Sequence, residues 1–328
     1  MFVHVEKVKF KLLYSDMKSD IDVIEKELEL TLNSSSQLLN EASVNLLQAG
    51  GKRIRPIFVL LSAKFGHYDI EQVKRIAVPL ELIHMASLVH DDVIDDAQLR
   101  RGRPTVKAQW SNKVAMYTGD FIFGKALEYV TELENPRIHK ILSKTMVEIV
   151  NGEVIQMEDK FRLDQSIKDY FRRIKRKTAL LIESSCELGG IVSGLEERYI
   201  RNVKRYGYFI GMSFQIVDDI LDFTATDKEL GKPAGSDLMQ GNITLPILLL
   251  RDDPEIRPFI DKAIAENLQE EERLHMLKLV RKSDAIKEAT KISNKYLQKA
   301  LQEIEYLPNH PVKKKLRDIA IFIGKRKF

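Results

Sequence analysis

The stretch LVHDDVIDDAQLRRGRPT, Leu88 to Thr105, sets four aspartates within six residues and follows them with an arginine pair. Like charges packed this tightly repel one another, so a helix that buried them unaided would be destabilised. Yet the residues just before, VPLELIHMASLV, read as a core-facing helix. Something must neutralise the aspartates: solvent, the neighbouring arginines, or a bound metal.

The pattern has an echo. In QIVDDILDFT, Asp218, Asp219 and Asp222 repeat the spacing of Asp91, Asp92 and Asp95, so each segment carries DDxxD inside an apolar helical stretch. The first and last aspartates of such a motif lie about one helical turn apart and project from one side. Two such helices face to face would gather carboxylates around a common space. One DDxxD alone reads as a solvated helix end. Two of them, both flanked by Val, Ile and Leu, read differently, because each buried uncompensated charge costs several kcal/mol. Hard cations offset that cost, and Mg²⁺ typically takes one or two carboxylates with water and phosphate oxygens completing its shell. His84, two turns before Asp91, and Gln215, just before Asp218, fall near the same faces.

Basic groups complete the pattern. GGKRIRP holds Lys52 and Arg55 between a glycine pair and a proline, a turn into a helix start that suits phosphate. Arg100 and Arg101 follow the first acidic cluster, Lys177 and Thr178 lie in RRIKRKTALL, and Lys232 lies in LGKPAGSD. Arg172, Arg173, Lys175 and Arg176 read as a partly solvated helix face.

The 328 residues, with 44% hydrophobic and 30% charged side chains, suit a soluble globular protein with a sizeable core. Apolar residues recur at helical spacing in IFVLLSAKF, MVEIVNGEVIQM and YFIGMSFQIVDDILDF, which predicts an all-α protein. Breaks at QAGGKRIRP, RRGRP, ENPR, LGKPAGSD and LPNHP are short, so residues 1–328 are expected to form a single domain. The lone Cys186, within IESSCELGG, excludes an intramolecular disulfide framework and reads as a small core residue in a reducing, cytoplasmic setting. MFVHVEKVKFKLLYSDMKSD is charged throughout, unlike a signal peptide, and the Leu245–Leu250 run is too short to cross a bilayer. A net charge of +4, without aromatics interleaved in the basic runs, gives no sign of nucleic-acid binding.

With GGKRIRP, LIHMASLVHDDVIDDAQLRRGRPT, TGDFIFGKAL, RRIKRKTALL and GMSFQIVDDILDF–LGKPAGSDL all present in order, the chain resembles the trans-polyprenyl diphosphate synthases from about residue 50 to 250. Within that family, LELIHMASLVHDDVIDDA and IAIFIGKRKF resemble the catalytic component of the bacterial heptaprenyl-forming enzymes. The resemblance implies a helical bundle around a deep central cavity, and addition of isopentenyl diphosphate to an allylic diphosphate such as farnesyl diphosphate. It implies that Lys52, Arg55, His84 and Arg101 hold isopentenyl diphosphate, and that Asp91, Asp95 and Asp218 bind Mg²⁺, roughly three ions per site, with Asp92, Asp219 and Asp222 in support. Arg100, Lys177 and Lys232 would contact the allylic diphosphate, and Thr178 and Gln215 would lie beside the reacting carbon. Glu153 and Gln156 stand where shorter-chain relatives carry Gln and Asp.

The same resemblance implies a heterodimer with a small first component, or a homodimer as in most of the family. It also implies a menaquinone side chain as the product's destination and a passing contact with a membrane surface during release. Small residues one turn before Asp91, Ala86 and Ser87, with Ile83 a further turn down, leave the cavity floor open for a product beyond about C20, with Leu80 lower still. A terpene cyclase is disfavoured because QIVDDILDF lacks that class's second metal motif, and a silent scaffold subunit because both acidic clusters are intact.

Overall fold

The computed structural model describes residues 15–100, 102–230 and 232–324, and these are almost wholly helical. The principal helices are α1 (Lys18–Thr31), α2 (Gln37–Gln48), α3 (Ile54–Ala63), α4 (Ile70–Ile94), α5 (Asn112–Thr131), α6 (Pro136–Glu158) and α7 (Ile167–Ile174). A wide π-turn (Lys175–Ala179) leads into α8 (Leu180–Val192), α9 (Glu197–Thr224) and α10 (Leu245–Leu250). The chain closes with α11 (Arg257–Ile264), α12 (Glu270–Lys282), α13 (Asp284–Glu305) and α14 (Val312–Gly324). The RRGRP break is more ordered than a bare loop: Leu99–Arg100 (β1) pairs antiparallel with Arg103–Pro104 (β2), Arg100 facing Arg103. Among the described residues no helix is long and apolar enough to cross a membrane.

Local chemistry sets the boundaries. The side chains of Ser36, Asp69, Ser111 and Asn135 accept backbone N–H bonds at the starts of α2, α4, α5 and α6, satisfying groups a helix cannot satisfy internally. Ser166 and Asp169 form a reciprocal capping box on α7. α3 is buried from Pro56 to Ala63, and α4 on nearly every side from Ile76 to Ile83, as expected of helices that are apolar all round.

α3, α4, α8 and α9 form the centre. α4 packs on α5, α3 on α8, α8 on α9, and α9 on α13. The α3–α8 crossing is close enough that a Cβ at Gly189 would stand 2.4 Å from the Val59 carbonyl oxygen. α9 spans two apolar clusters, giving Ile200, Val203, Tyr206 and Ile210 to one and Met212, Ile216, Ile220 and Phe223 to the other. Cys186 is fully buried in the first, as its sequence context implied, and burial pushes its thiol up to about 12.

Candidate active site

α4 carries the first acidic motif to its own end. The helix stops at Ile94, Asp95 is the C-cap, and Asp96 takes a left-handed conformation (φ 51°). Four carboxylates thus crowd the negative pole of the helix dipole, where a cation is favoured. Each has one from the chain. Lys177 Nζ lies 3.8 Å from Asp91, Arg100 binds Asp92 at 2.7 Å, Lys160 Nζ donates to Asp95 at 3.3 Å, and Lys107 pairs with Asp96. The hairpin aims Arg100 at buried Asp92, so its guanidinium is directed first at a carboxylate. Burial still raises Asp91 and Asp92 above the usual carboxylate range, although Lys177 and Arg100 pull the other way.

The π-turn joins this motif to the second. Lys177 Nζ donates to Glu153 Oε2 (2.8 Å) beside Asp91, while the next residue, Thr178, donates from Oγ1 to Gln215 Oε1 (2.6 Å). Gln215 Nε2 in turn donates to Asp219 Oδ1 (2.8 Å), and Tyr170 Oη donates to Asp219 Oδ2 (2.6 Å). Gln215 therefore serves Asp219, one turn on, and not Asp218, whose face it was expected to share. Despite two donors, burial lifts Asp219 to about 8. Asp222 is also raised by burial, with Asp237 adding to the effect and Lys232, 3.0 Å away, opposing it. Asp218 is exposed. π-turns concentrate at functional sites because they re-aim side chains that an α-helix would send elsewhere. Here two adjacent residues reach three helices, α4, α6 and α9.

The GGKRIRP turn lies against the same end of α4. A cleft lined by Gly50, Arg53, Glu81, His84, Asp92 and Arg100 connects the turn with the first motif. Lys52 is exposed and Arg55 half-buried, whereas Arg53 between them is buried in a left-handed conformation (φ 46°) and ion-paired with Glu25 and Glu81. Arg101 lies outside the described residues.

A second, apolar groove of about 220 Å³ runs from Asp91 and Asp95 between α4, α5 and α6, walled by Ser87, Phe123, Val150 and Val154, with Glu153 and Gln156 on its edge. Of the expected floor positions, Ser87 lines it. Ala86, Ile83 and Leu80 belong to the packed core: Ala86 is turned about 100° away from Ser87, whereas Ile83 and Leu80 share the face of Ser87 one and two turns deeper. Arg173 is a further correction: it is buried, holding Gln165 and the Ile243 carbonyl, and is no part of a solvated face.

Sequence reasoning missed Lys160, Lys107, Arg53 and Tyr170. Nothing marks them locally, since each acts on a partner many residues away. The donor set fits a divalent ion. The oxygens are hard, several belong to buried carboxylates held above their ordinary range, and among the described residues no three His, Cys, Asp or Glu side chains close a cage. Such a site suits an ion whose shell is completed by water and a phosphorylated substrate.

Residues 36–280 match the polyprenyl synthetase family. The chain belongs to it. This polyprenyl synthetase is 53% identical over 326 residues to heptaprenyl diphosphate synthase component 2 of Bacillus subtilis (strain 168), covering 99% of this chain and 93% of that protein. The crystal structure of heptaprenyl diphosphate synthase from Staphylococcus aureus superposes with a TM-score of 0.90 at 44% identity, over 95% of this chain and 99% of that one. The polyprenyl synthase from Caulobacter crescentus, complexed with calcium and isoprenyl diphosphate, gives a TM-score of 0.92 at 29% identity, over 97% and 98% of the two chains. The all-α architecture expected from the sequence is that of the isoprenoid synthases, and the chain is a trans-prenyltransferase making long-chain polyprenyl diphosphates.

Proposed function

We propose that this chain is the catalytic component of a Mg²⁺-dependent heptaprenyl diphosphate synthase, extending farnesyl diphosphate with isopentenyl diphosphate for a menaquinone side chain. The observation that carries the reading is the π-turn, whose Lys177 reaches Asp91 and whose Thr178 reaches Asp219 through Gln215. It makes one reaction centre of two distant motifs. The allylic diphosphate lies between them, held by Lys177 and Lys232, with Arg100 behind Asp92. Asp91, Asp95 and Asp218 hold Mg²⁺, with Asp92, Asp219 and Asp222 in support. Mg²⁺ held there would supply positive charge against the negative charge that develops on the departing diphosphate.

The protein's remaining tasks follow from the charge left behind. The allylic cation needs weak dipoles and no water; the Thr178–Gln215–Asp219 chain fixes the dipoles and the apolar groove excludes the water. Lys52, Arg55, His84 and Arg101 position isopentenyl diphosphate, and His84 lines the cleft beside the first motif. The expelled diphosphate accepts the proton, so no dedicated protein base is required. The growing chain enters the groove past Ser87.

The B. subtilis relative is a "component 2", which supports a heterodimer with a small first component. Large apolar side chains away from the groove also stand exposed on α5 and α6, among them Tyr117, Leu127 and Val147, which is consistent with a partner covering them. The sharing of α9 between both apolar clusters supports one domain, and the reduced, buried Cys186 suits the cytoplasm. The test is an incubation of purified chain with labelled isopentenyl diphosphate, farnesyl diphosphate and Mg²⁺, with and without the small component, followed by chromatography of the dephosphorylated lipids. Heptaprenol appearing only with both chains is expected. Inactivity in both conditions would favour a scaffold, and heptaprenol from this chain alone would favour a homodimer.

A further inference from the structure

Lys160 lies two residues beyond α6, on a loop anchored by contacts on both flanks. Phe161 adopts a left-handed conformation (φ 60°), donates its N–H to the Gly241 carbonyl at 2.8 Å, and presses its ring so close to Gly241 that a Cβ there would stand 2.7 Å away. On the other flank, Gln165 Nε2 donates to the Asp159 carbonyl at 2.7 Å, and buried Arg173 donates to Gln165 Oε1 at 2.6 Å. The lysine between these anchors extends to Asp95, 65 residues earlier in the chain, and lines the apolar groove beside Asp91.

A partly exposed lysine–carboxylate pair contributes little to stability, and a non-glycine residue at positive φ has a cost of its own. Fold stability therefore does not account for the arrangement. Its pairing parallels that of Lys177: the two ammonium groups lie 3.3 Å from Asp95 and 3.8 Å from Asp91, carboxylates about one helical turn apart. An ammonium on a flexible stem can leave a carboxylate when a divalent ion claims it and move to the nearest phosphate oxygen.

We propose that Lys160 is a further diphosphate-binding residue, resting on Asp95 in the free enzyme and transferring its Nζ to the allylic diphosphate when the metal–substrate complex binds. The inference rests on the assignment of that diphosphate to the first acidic motif. Lys160→Met keeps the apolar stem and removes the charge; Lys160→Arg restores a cation. Calorimetric binding of inorganic diphosphate with Mg²⁺ present should weaken about tenfold in Lys160→Met, the scale of one charge-assisted hydrogen bond. The KM for farnesyl diphosphate should rise similarly, the KM for isopentenyl diphosphate should stay unchanged, and Lys160→Arg should recover most of the loss. Mn²⁺ bound without diphosphate, read by electron paramagnetic resonance, should bind as tightly or more tightly in the methionine variant, because a competitor has gone. Unchanged diphosphate affinity with tighter Mn²⁺ binding would overturn the proposal and leave Lys160 a placeholder. A rise in both KM values with a lowered Tm would overturn it in favour of a structural role. Failure of the wild-type protein to bind diphosphate with Mg²⁺ would instead remove the site assignment on which the inference stands.

Discussion

Gly211→Ala would test whether the π-turn is the link between the two acidic motifs. A Cβ at this position on α9 would stand 2.5 Å from Ala179 Cα and 2.8 Å from its Cβ. Carbon–carbon contacts are comfortable only from about 3.5 Å, so α9 and the π-turn must separate by about 1 Å. Ala179 immediately follows Lys177 and Thr178, and the displacement falls on the two residues that reach Asp91 and Gln215. Overpacking of this kind costs about 1–3 kcal/mol, whereas a 1 Å misplacement near a reacting centre costs about a hundredfold in rate. The expected variant is folded, melts several degrees lower, and turns over about a hundredfold more slowly with farnesyl and isopentenyl diphosphates. Tm by calorimetry and single-turnover incorporation of labelled isopentenyl diphosphate measure the two effects. Wild-type turnover in a variant that has lost stability would refute the reasoning, because the strain would then have been absorbed without moving the turn.

Ser87→Phe should fill the groove near Asp91 and shorten the products, seen by chromatography of the dephosphorylated lipids, whereas Ala86→Phe meets the packed core and should chiefly lower Tm. Arg53→Met strands Glu81 without its buried partner, and should cost on the order of 3 kcal/mol in a denaturant melt. The raised carboxylates give a pH dependence of stability in metal-free protein. Asp219, near 8 when folded, sits far above an unfolded aspartate at about 3.9. A carboxylate raised on folding stabilises the native state fully below its unfolded pKa and loses that contribution as pH climbs through the folded value. Tm in chelator should therefore fall between about pH 5 and pH 8, and Mg²⁺ should raise Tm most at the alkaline end; an equal Mg²⁺ effect at every pH would contradict this.

Much of this was legible in the chain. Helical spacing of apolar residues predicted the architecture, and two DDxxD motifs in apolar surroundings pointed to α4 and α9, the helices that Lys177 and Thr178 link. What stayed hidden depended on tertiary approach or on fine rotation. Lys160 and Lys107 look like any surface lysine until the fold brings them to Asp95 and Asp96. The π-turn has no signature in KRKTA, and its close approach to Gly152 and Gly211 is visible only in the folded chain. Ala86 and Ser87 are neighbours in sequence, but about 100° of helix rotation puts one in the core and the other on the groove. The end of α4 at Ile94 was also unmarked, since Asp95 and Asp96 belong equally to a helix or a cap.

α9 runs unbroken through both halves of the interior and carries Asp218, Asp219 and Asp222 near its far end. A motif mounted on such a beam cannot fray on its own: releasing it means dismantling two apolar cores together. Amide hydrogens around Ile216 to Asp219 should thus exchange only through complete denaturation, and warming the enzyme should abolish catalysis and structure at one temperature instead of passing through a folded but inert stage.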